Sequence, residues 1–115
     1  MKIIKLYTGE DNKSYFTEID SGPATKQHLG LYSEKIKAAN IIFRDFEKNM
    51  IFDLHNAPQP QYIVYLEGEI EVEASGGETR IFKPGDILFA TDLTGKGHIT
   101  RTLTDGRSIV ITTRD

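Results

Sequence analysis

Alternation of polar and apolar residues with a period of two dominates this chain. Residues 69–74 alternate without interruption, which predicts a strand with one wet face and one buried face. Residues 62–66 just before them are continuously apolar and rich in aromatic and β-branched side chains, which predicts a strand buried on both faces. Further short runs predict strands at residues 2–7, 15–19, 39–46, 50–55, 79–82, 87–90, 99–103 and 108–112.

Turn residues separate these runs. Residues 75–78, with two consecutive glycines, predict a hairpin turn, and residues 84–86 (Pro-Gly-Asp) and 104–107 predict two more. No segment has a convincing helical pattern, so we expect an all-β sandwich or barrel. A chain of 115 residues without a linker predicts a single domain over residues 1–115.

The least regular stretch is residues 21–37, which contain Gly22-Pro23 and Gly30. We favour a surface crossover loop over the alternative of a lid above a site. His28 lies in this stretch and is expected at the surface.

Charge and composition exclude several classes of function. Lys and Arg number 14 and Asp and Glu number 17, a net charge of −3, without a basic stripe, so neither nucleic acid nor a membrane is an expected partner. The absence of cysteine excludes disulfides, thiol catalysis and cysteine-ligated zinc. No apolar stretch is long enough for a signal-peptide core or a membrane span, so we expect a cytoplasmic protein.

Two stretches carry a resemblance to a known family. The first is residues 55–68, His-Asn-Ala-Pro-Gln-Pro-Gln-Tyr-Ile-Val-Tyr-Leu-Glu-Gly, and the second is residues 82–90 together with the Thr-Gly-Lys-Gly-His of residues 94–98. Their order of apolar strand, acidic-Gly turn, alternating strand and Pro-Gly-Asp turn resembles the cupin superfamily. The resemblance implies a cupin-type jelly-roll β-barrel, or double-stranded β-helix, of the small, single-domain bacterial type.

The same resemblance implies a degenerate metal site. Metal-binding cupins place two His and one Glu in the first motif and one His in the second. His55 matches the first His, Ala57 stands in place of the second, and Gln61 stands in place of the Glu. His98 matches the His of the second motif once two residues are inserted before it. The implied cofactor is one divalent transition metal, Fe, Zn, Ni or Mn, at His55, His98 and Gln61.

Strand geometry supports a pocket at these positions independently of the family. Odd-numbered residues of one strand share a face, so Asp53, His55 and Gln61 are expected on one side with Tyr65. With His98 from a neighbouring strand, these five residues form the predicted ligand pocket.

Other polar residues receive a structural interpretation. Tyr62 and Tyr65 are favoured as packing residues over a general acid. The series Glu67, Glu69, Glu71 and Glu73 has strand spacing and predicts a solvated face. Lys96 between two glycines is favoured as part of a tight loop over an anion contact.

Three functional hypotheses remain open. The first choice is a small-molecule-binding cupin-domain protein, and two versions of it stay open: a divalent metal held by His55 and His98, or no metal, with His55, Gln61 and His98 as hydrogen-bond partners of the ligand. The alternatives are a metal-dependent dioxygenase or isomerase, and a metal-free isomerase or epimerase with a His55–Asp53 base and Tyr62 or Tyr65 as acid. The apolar outer face of residues 62–66 also predicts a homodimer.

Overall fold

The computed structural model describes residues 1–114, which contain twelve strands and no helix. The strands are β1 (Lys2–Thr8), β2 (Ser14–Asp20), β3 (Ala24–Gln27), β4 (Gly30–Ser33), β5 (Asn40–Phe46), β6 (Ile51–His55), β7 (Gln61–Glu67), β8 (Ile70–Ala74), β9 (Thr79–Phe82), β10 (Ile87–Ala90), β11 (His98–Thr102) and β12 (Gly106–Thr112). The prediction of an all-β chain is confirmed, and in the described part no helix could cross a membrane.

The pairing of the last eight strands is nested. β5 pairs with β12, β6 with β11, β7 with β10 and β8 with β9, all antiparallel. This order places β10, β7, β12 and β5 side by side in one sheet and β6, β11, β8 and β9 in a second. Two such four-stranded sheets built from nested pairs form a jelly roll, as predicted. β1 and β2 extend the first sheet to six strands, with β1 parallel to β10.

The hydrophobic core fills the space between the two sheets. Ile63 and Tyr65 of β7 face Val72 of β8 and Phe82 of β9, and all four are buried. The Tyr65 and Phe82 rings stack with their centroids 5.2 Å apart. Because alternate residues of a strand point to opposite faces, each sheet contributes the side chains of one face to this core.

The expectation of an irregular surface loop at residues 21–37 needs a correction. Instead of an irregular loop, they contain the hairpin of β3 and β4, whose residues pair only with each other in the described sheets. The hairpin is exposed throughout, and His28 lies in its turn, at the surface as expected. Its short, polar strands lack the hydrophobic alternation by which the other strands are predicted.

The expectation that residues 62–66 are buried on both faces is wrong. Ile63 and Tyr65 are buried, but Tyr62 and Val64 are only half-buried and Leu66 is exposed. No further layer of residues 1–114 covers the outer face of this sheet. The apolar side chains on that face therefore remain accessible to solvent.

The two faces of β9 give a test of the core. Phe82→Ala removes a buried ring and should lower the free energy of unfolding by about 3–5 kcal/mol. Ile81→Ala, its outward-facing neighbour with 48% of its surface exposed, should change it by about 0.5 kcal/mol. Urea unfolding of both variants measures the difference, and equal losses of stability would contradict this placement of the core.

Candidate functional site

A cavity of about 650 Å³ lies between the two sheets. Most of its wall is apolar, contributed by inward-facing side chains of both sheets. The lining residues are Arg44, Asp45, Phe46, Met50, Ile51, Phe52, His55, Asn56, Ala57, Pro58, Gln61, Ile63, Tyr65, Ile70, Val72, Leu88, Ala90, His98, Thr100 and Thr102. Four of the five residues of the predicted ligand pocket, all except Asp53, are among them.

The pairing of β6 with β11 brings two imidazoles together in this cavity. His55 and His98 are direct cross-strand partners, and the ladder shifts register only beyond them, between His98 and Thr100. Their ring centroids lie 4.2 Å apart with an angle of 56° between the ring planes. The fold thus brings together two histidines that are 43 residues apart in sequence.

His98 forms a buried pair with a residue that the sequence analysis did not identify. Its Nδ1 lies 2.5 Å from Oδ2 of Asp92, and Asp92 is fully buried. Within residues 1–114, the other carboxyl oxygen of Asp92, Oδ1, is buried without a hydrogen-bond partner. A buried carboxyl oxygen without a protein partner costs stability.

Two neighbouring segments hold this pair in place. The backbone oxygen of Asp92 accepts hydrogen bonds from the Asn56 side chain and the Ala57 N–H group, at 3.2 and 3.3 Å. The Ser14 hydroxyl donates to the backbone oxygen of Gly97, at 2.6 Å. Asp92 and His98 are thus anchored through the backbone at both ends of the loop between them.

The histidine from the first motif has a different set of partners. Nδ1 of His55 lies 2.8 Å from the backbone oxygen of Asp53, and its ring stacks on Phe52 with centroids 3.6 Å apart. Burial, with a smaller contribution from nearby His98, lowers the pKa of His55 below its ordinary value of 6.5. The imidazole is therefore neutral at pH 7, with Nδ1–H donating to the carbonyl and Nε2 left as an acceptor.

The predicted Asp53–His55 pair is not formed. The carboxylate of Asp53 instead accepts a hydrogen bond from the backbone N–H of Leu54, at 2.8 Å, and its side chain is exposed. Strand parity fails here because the ladder of β6 and β11 shifts register between His98 and Thr100, so that Phe52, and not Asp53, lines the cavity with His55. A His–Asp pair is formed instead by His98 and Asp92.

The other two positions of the first motif also line the cavity. Gln61 begins β7 and is half-buried, whereas Ala57 is buried in the loop before it. Gln61 is thus at the same end of the cavity as the loop that is bonded to Asp92.

The glycines around Lys96 have a structural role. Gly97 has a φ of +73°, and a Cβ there would overlap the carbonyl oxygen of His55. The backbone N–H of Lys96 donates to the backbone oxygen of Asn12, at 2.8 Å, and Lys96 does not line the cavity. These contacts support the interpretation of a tight loop, whose close approach to β6 requires glycine.

The two tyrosines lie on opposite faces of β7. Tyr62 stacks on Phe89 on the outer face, with centroids 4.2 Å apart, so it does not reach the cavity. Tyr65 lines the cavity, and burial raises the pKa of its phenol well above the ordinary value of 10.0. The phenol therefore stays protonated, beside the guanidinium of Arg44, a second cavity residue that sequence reasoning missed.

Of the predicted acidic series, Glu71 and Glu73 lie on the solvent-facing side of β8, as the alternation predicts, whereas Glu67 ends β7 and Glu69 precedes β8. Glu71 and Glu73 both pair with Arg101 of β11, at 3.1 and 2.9 Å. They project from the outer face of the four-stranded sheet, since Val72 between them is buried in the core. These carboxylates have no part in the cavity.

The donor groups fit a metal ion only in part. Each imidazole has Nδ1 engaged and Nε2 open, which is the usual arrangement of histidine ligands supported by a carboxylate or a carbonyl. Within residues 1–114, however, no group of three or more His, Cys, Asp or Glu side chains is placed to hold an ion. Two imidazoles and the Gln61 amide form an open and comparatively weak donor set.

Comparison with known proteins bears on the fold alone. No protein-family model and no curated protein matches the chain. A conserved protein of unknown function from Streptococcus pyogenes is 12% identical and superposes with a TM-score of 0.51, over 66% of this chain and 75% of that one. A putative ethanolamine utilization protein Q from Salmonella typhimurium is 17% identical over 100% of this chain and 98% of that one, but its TM-score of 0.48 carries no argument. Together with the nested strand pairing, the first likeness supports an all-β jelly-roll fold for this chain.

Proposed function

We propose that this protein binds a small organic molecule in the cavity between its sheets and that the Asp92–His98 pair transfers a proton on it. The observation that carries the proposal is the buried contact between Nδ1 of His98 and Oδ2 of Asp92 at the wall of the cavity. The reaction class is a metal-free isomerisation or epimerisation next to a carbonyl group.

The cavity suits a small ligand in size and polarity. A volume of about 650 Å³ is within the range of small-molecule sites in proteins. Side chains such as Ile63, Val72 and Leu88 offer contact to the apolar part of a ligand, while the imidazoles and Gln61 offer hydrogen bonds. The ligand is therefore a partly apolar molecule with a polar end.

The imidazole of His98 is oriented for a general base. Asp92 holds Nδ1, so Nε2 is the nitrogen that accepts a proton from a carbon next to a ligand carbonyl, and the electrons of the C–H bond move into the enolate. The carboxyl group of Asp92 stabilises the imidazolium that forms. Return of the proton from the imidazolium to a different carbon completes an isomerisation, whereas an epimerisation is completed by a proton from water on the opposite face of the same carbon.

A second candidate function uses a metal ion, as a cupin with degenerate metal motifs. The specific observation in its favour is that both imidazoles have Nδ1 anchored and Nε2 open at neighbouring positions. His55 and His98 would hold the ion, with the Gln61 amide as a third ligand. Such an ion, whether Fe, Zn, Ni or Mn, would polarise a carbonyl oxygen of the ligand, as required of a metal-dependent isomerase, and a dioxygenase would in addition take O₂ as its co-substrate.

We further propose a homodimer through the outer face of the six-stranded sheet. Alternation along four neighbouring strands of this sheet directs apolar side chains outward, at Ile41, Phe43, Tyr62, Val64, Ile87, Phe89, Ile109 and Ile111. An apolar surface that crosses four strands is typical of an interface. A second copy suits it, because a two-fold axis pairs one sheet face with itself.

Proton exchange tests the main proposal. The chelator-treated protein is incubated in D₂O with a panel of small ketones and of oxo acids whose carbonyl lies several bonds from the carboxylate, and loss of the proton next to the carbonyl is followed by NMR. Asp92→Asn and His98→Gln should each slow enzyme-dependent exchange by about 10²- to 10⁴-fold. His28→Gln, the same change at an exposed histidine, should leave it unchanged. Binding without exchange, or exchange that survives both cavity variants, would refute the role in proton transfer.

Metal loading tests the second candidate. Protein purified without chelator or nickel is dialysed against each of the four ions and assayed by elemental analysis. About one ion per chain is expected, and the double variant His55→Ala/His98→Ala should lose it because both imidazole ligands are gone. His28→Ala serves as the control. Equal metal content in the wild type and the double variant would refute this site.

Light scattering tests the dimer. The wild type should have twice the mass of one chain, and Phe43→Glu should give a monomer because it places a charge in the apolar face. Ile81→Glu, on the outer face of the other sheet, should remain dimeric. A monomeric wild type would exclude this interface.

A further inference from the structure

We propose that the ligand of this cavity is an organic carboxylate and that Arg44 binds its carboxylate group at the end opposite the two imidazoles. This inference rests on the proposed small-molecule function and specifies the chemical class of the ligand. Neither sequence motif includes Arg44, which follows the irregular segment on β5.

Arg44 belongs to a row of polar side chains across three strands. In the register of the sheet, Arg44 of β5 lies opposite Ser108 of β12, and Ser108 lies opposite Tyr65 of β7. Ser108 and Tyr65 are both buried at 2% exposure, and Nε of Arg44 donates to the Ser108 hydroxyl at 2.9 Å. The guanidinium is thus held at the inner face of the sheet, at the wall of the cavity.

The charge of this guanidinium is not compensated by an acidic side chain. Among residues 1–114, no carboxylate forms an ion pair with Arg44, whereas Arg80, Arg101 and Arg107 all have one. Its other neighbours are the Tyr65 phenol and the ring of Phe46, whose centroid is 6.0 Å from the guanidinium carbon. A half-buried cation that lacks an ion pair and has neutral hydrogen-bond and ring partners favours an anion from outside the chain, even though Asp45 lines the same cavity.

The geometry of a guanidinium narrows the class of that anion. Arginine has five N–H donors in a planar fork, and the bond to Ser108 uses only the one on Nε. The remaining donors match the two oxygens of a carboxylate. Because the rest of this wall is largely apolar, a single carboxylate on an apolar body satisfies both the cation and its surroundings.

The two polar groups of the cavity lie at different ends. Gln61, at the imidazole end, and Tyr65, beside Arg44, are four residues apart on one face of β7, a separation of about 13 Å. On the facing sheet, His98 lies opposite Ala74, whereas Thr102 lies opposite Ile70, at the end where the chain enters β8 from β7. Ile63 lies between the two ends on the inner face of β7 and supplies apolar contact.

This arrangement orients the ligand. With its carboxylate at Arg44, the apolar body passes along Ile63, and the opposite end of the molecule reaches His98. The carboxylate group fixes the position of the molecule along the cavity, and the imidazole end acts on a group several bonds away from it.

A matched pair of probes tests the inference. Hexanoate and hexanamide have the same chain length and differ in charge, and their binding to the chelator-treated protein is measured by NMR titration at pH 8. The wild type should bind hexanoate about tenfold or more tightly than hexanamide, because a charge-assisted pair is stronger than a neutral one. Arg44→Gln should reduce the affinity for hexanoate to that for hexanamide and leave hexanamide unchanged, which also shows that the variant is folded.

Two further variants complete the experiment. Arg107→Gln, an exposed arginine already paired with Glu67, should preserve the preference for hexanoate. Arg44→Lys keeps the charge but loses the planar fork, so it should retain only part of the preference.

The outcomes separate this inference from the proposed function. Equal binding of the two probes to the wild type, or a preference that persists in Arg44→Gln, overturns the role of Arg44 while leaving the cavity a binding site. If neither probe shifts the resonances of Ile63 and Val72, both the small-molecule function and the carboxylate inference are overturned.

Discussion

The contact between Asp92 and His98 is the interaction on which the site depends. It is formed deep in the molecule, where Asp92 is fully buried and its second oxygen has no partner within residues 1–114. A buried carboxyl group with one contact costs free energy that the surrounding structure must supply. The bonds from the Asn56–Ala57 segment to Asp92 and from Ser14 to Gly97 fix both ends of the loop and hold this unfavourable arrangement in place.

The jelly-roll topology explains why this pair faces a second histidine across a cavity. Nested pairing makes β6 and β11 neighbours although they are far apart in the chain, and their register sets His55 opposite His98. The same nesting leaves Arg44, on the facing sheet, toward the other end of the space. The fold therefore separates a cationic end from an imidazole end, with largely apolar side chains on the wall between them, as the proposed orientation of an elongated ligand requires.

Much of the fold and part of the candidate site could be predicted from the sequence, and the correct predictions have a common origin. The strands with clear alternation were located within one or two residues, as at β8, and the cavity positions of His55 and His98 followed from motif register, with parity along β7 adding Gln61. The failures also share a reason. The strands β3 and β4 have no apolar period. Asp92 and Arg44 are isolated polar residues, and their roles depend on the side chains that surround them in the folded chain.

The sequence by itself determined that the chain is all-β and where most strands and turns begin, because alternation and turn chemistry are local properties. It also determined which two imidazoles are available to a site. Only the tertiary structure decided which carboxyl group pairs with a histidine, Asp92 rather than Asp53, and which cation reaches the cavity, Arg44 rather than Lys96. Those outcomes depend on strand register and on contacts between residues distant in sequence, and no local pattern encodes them.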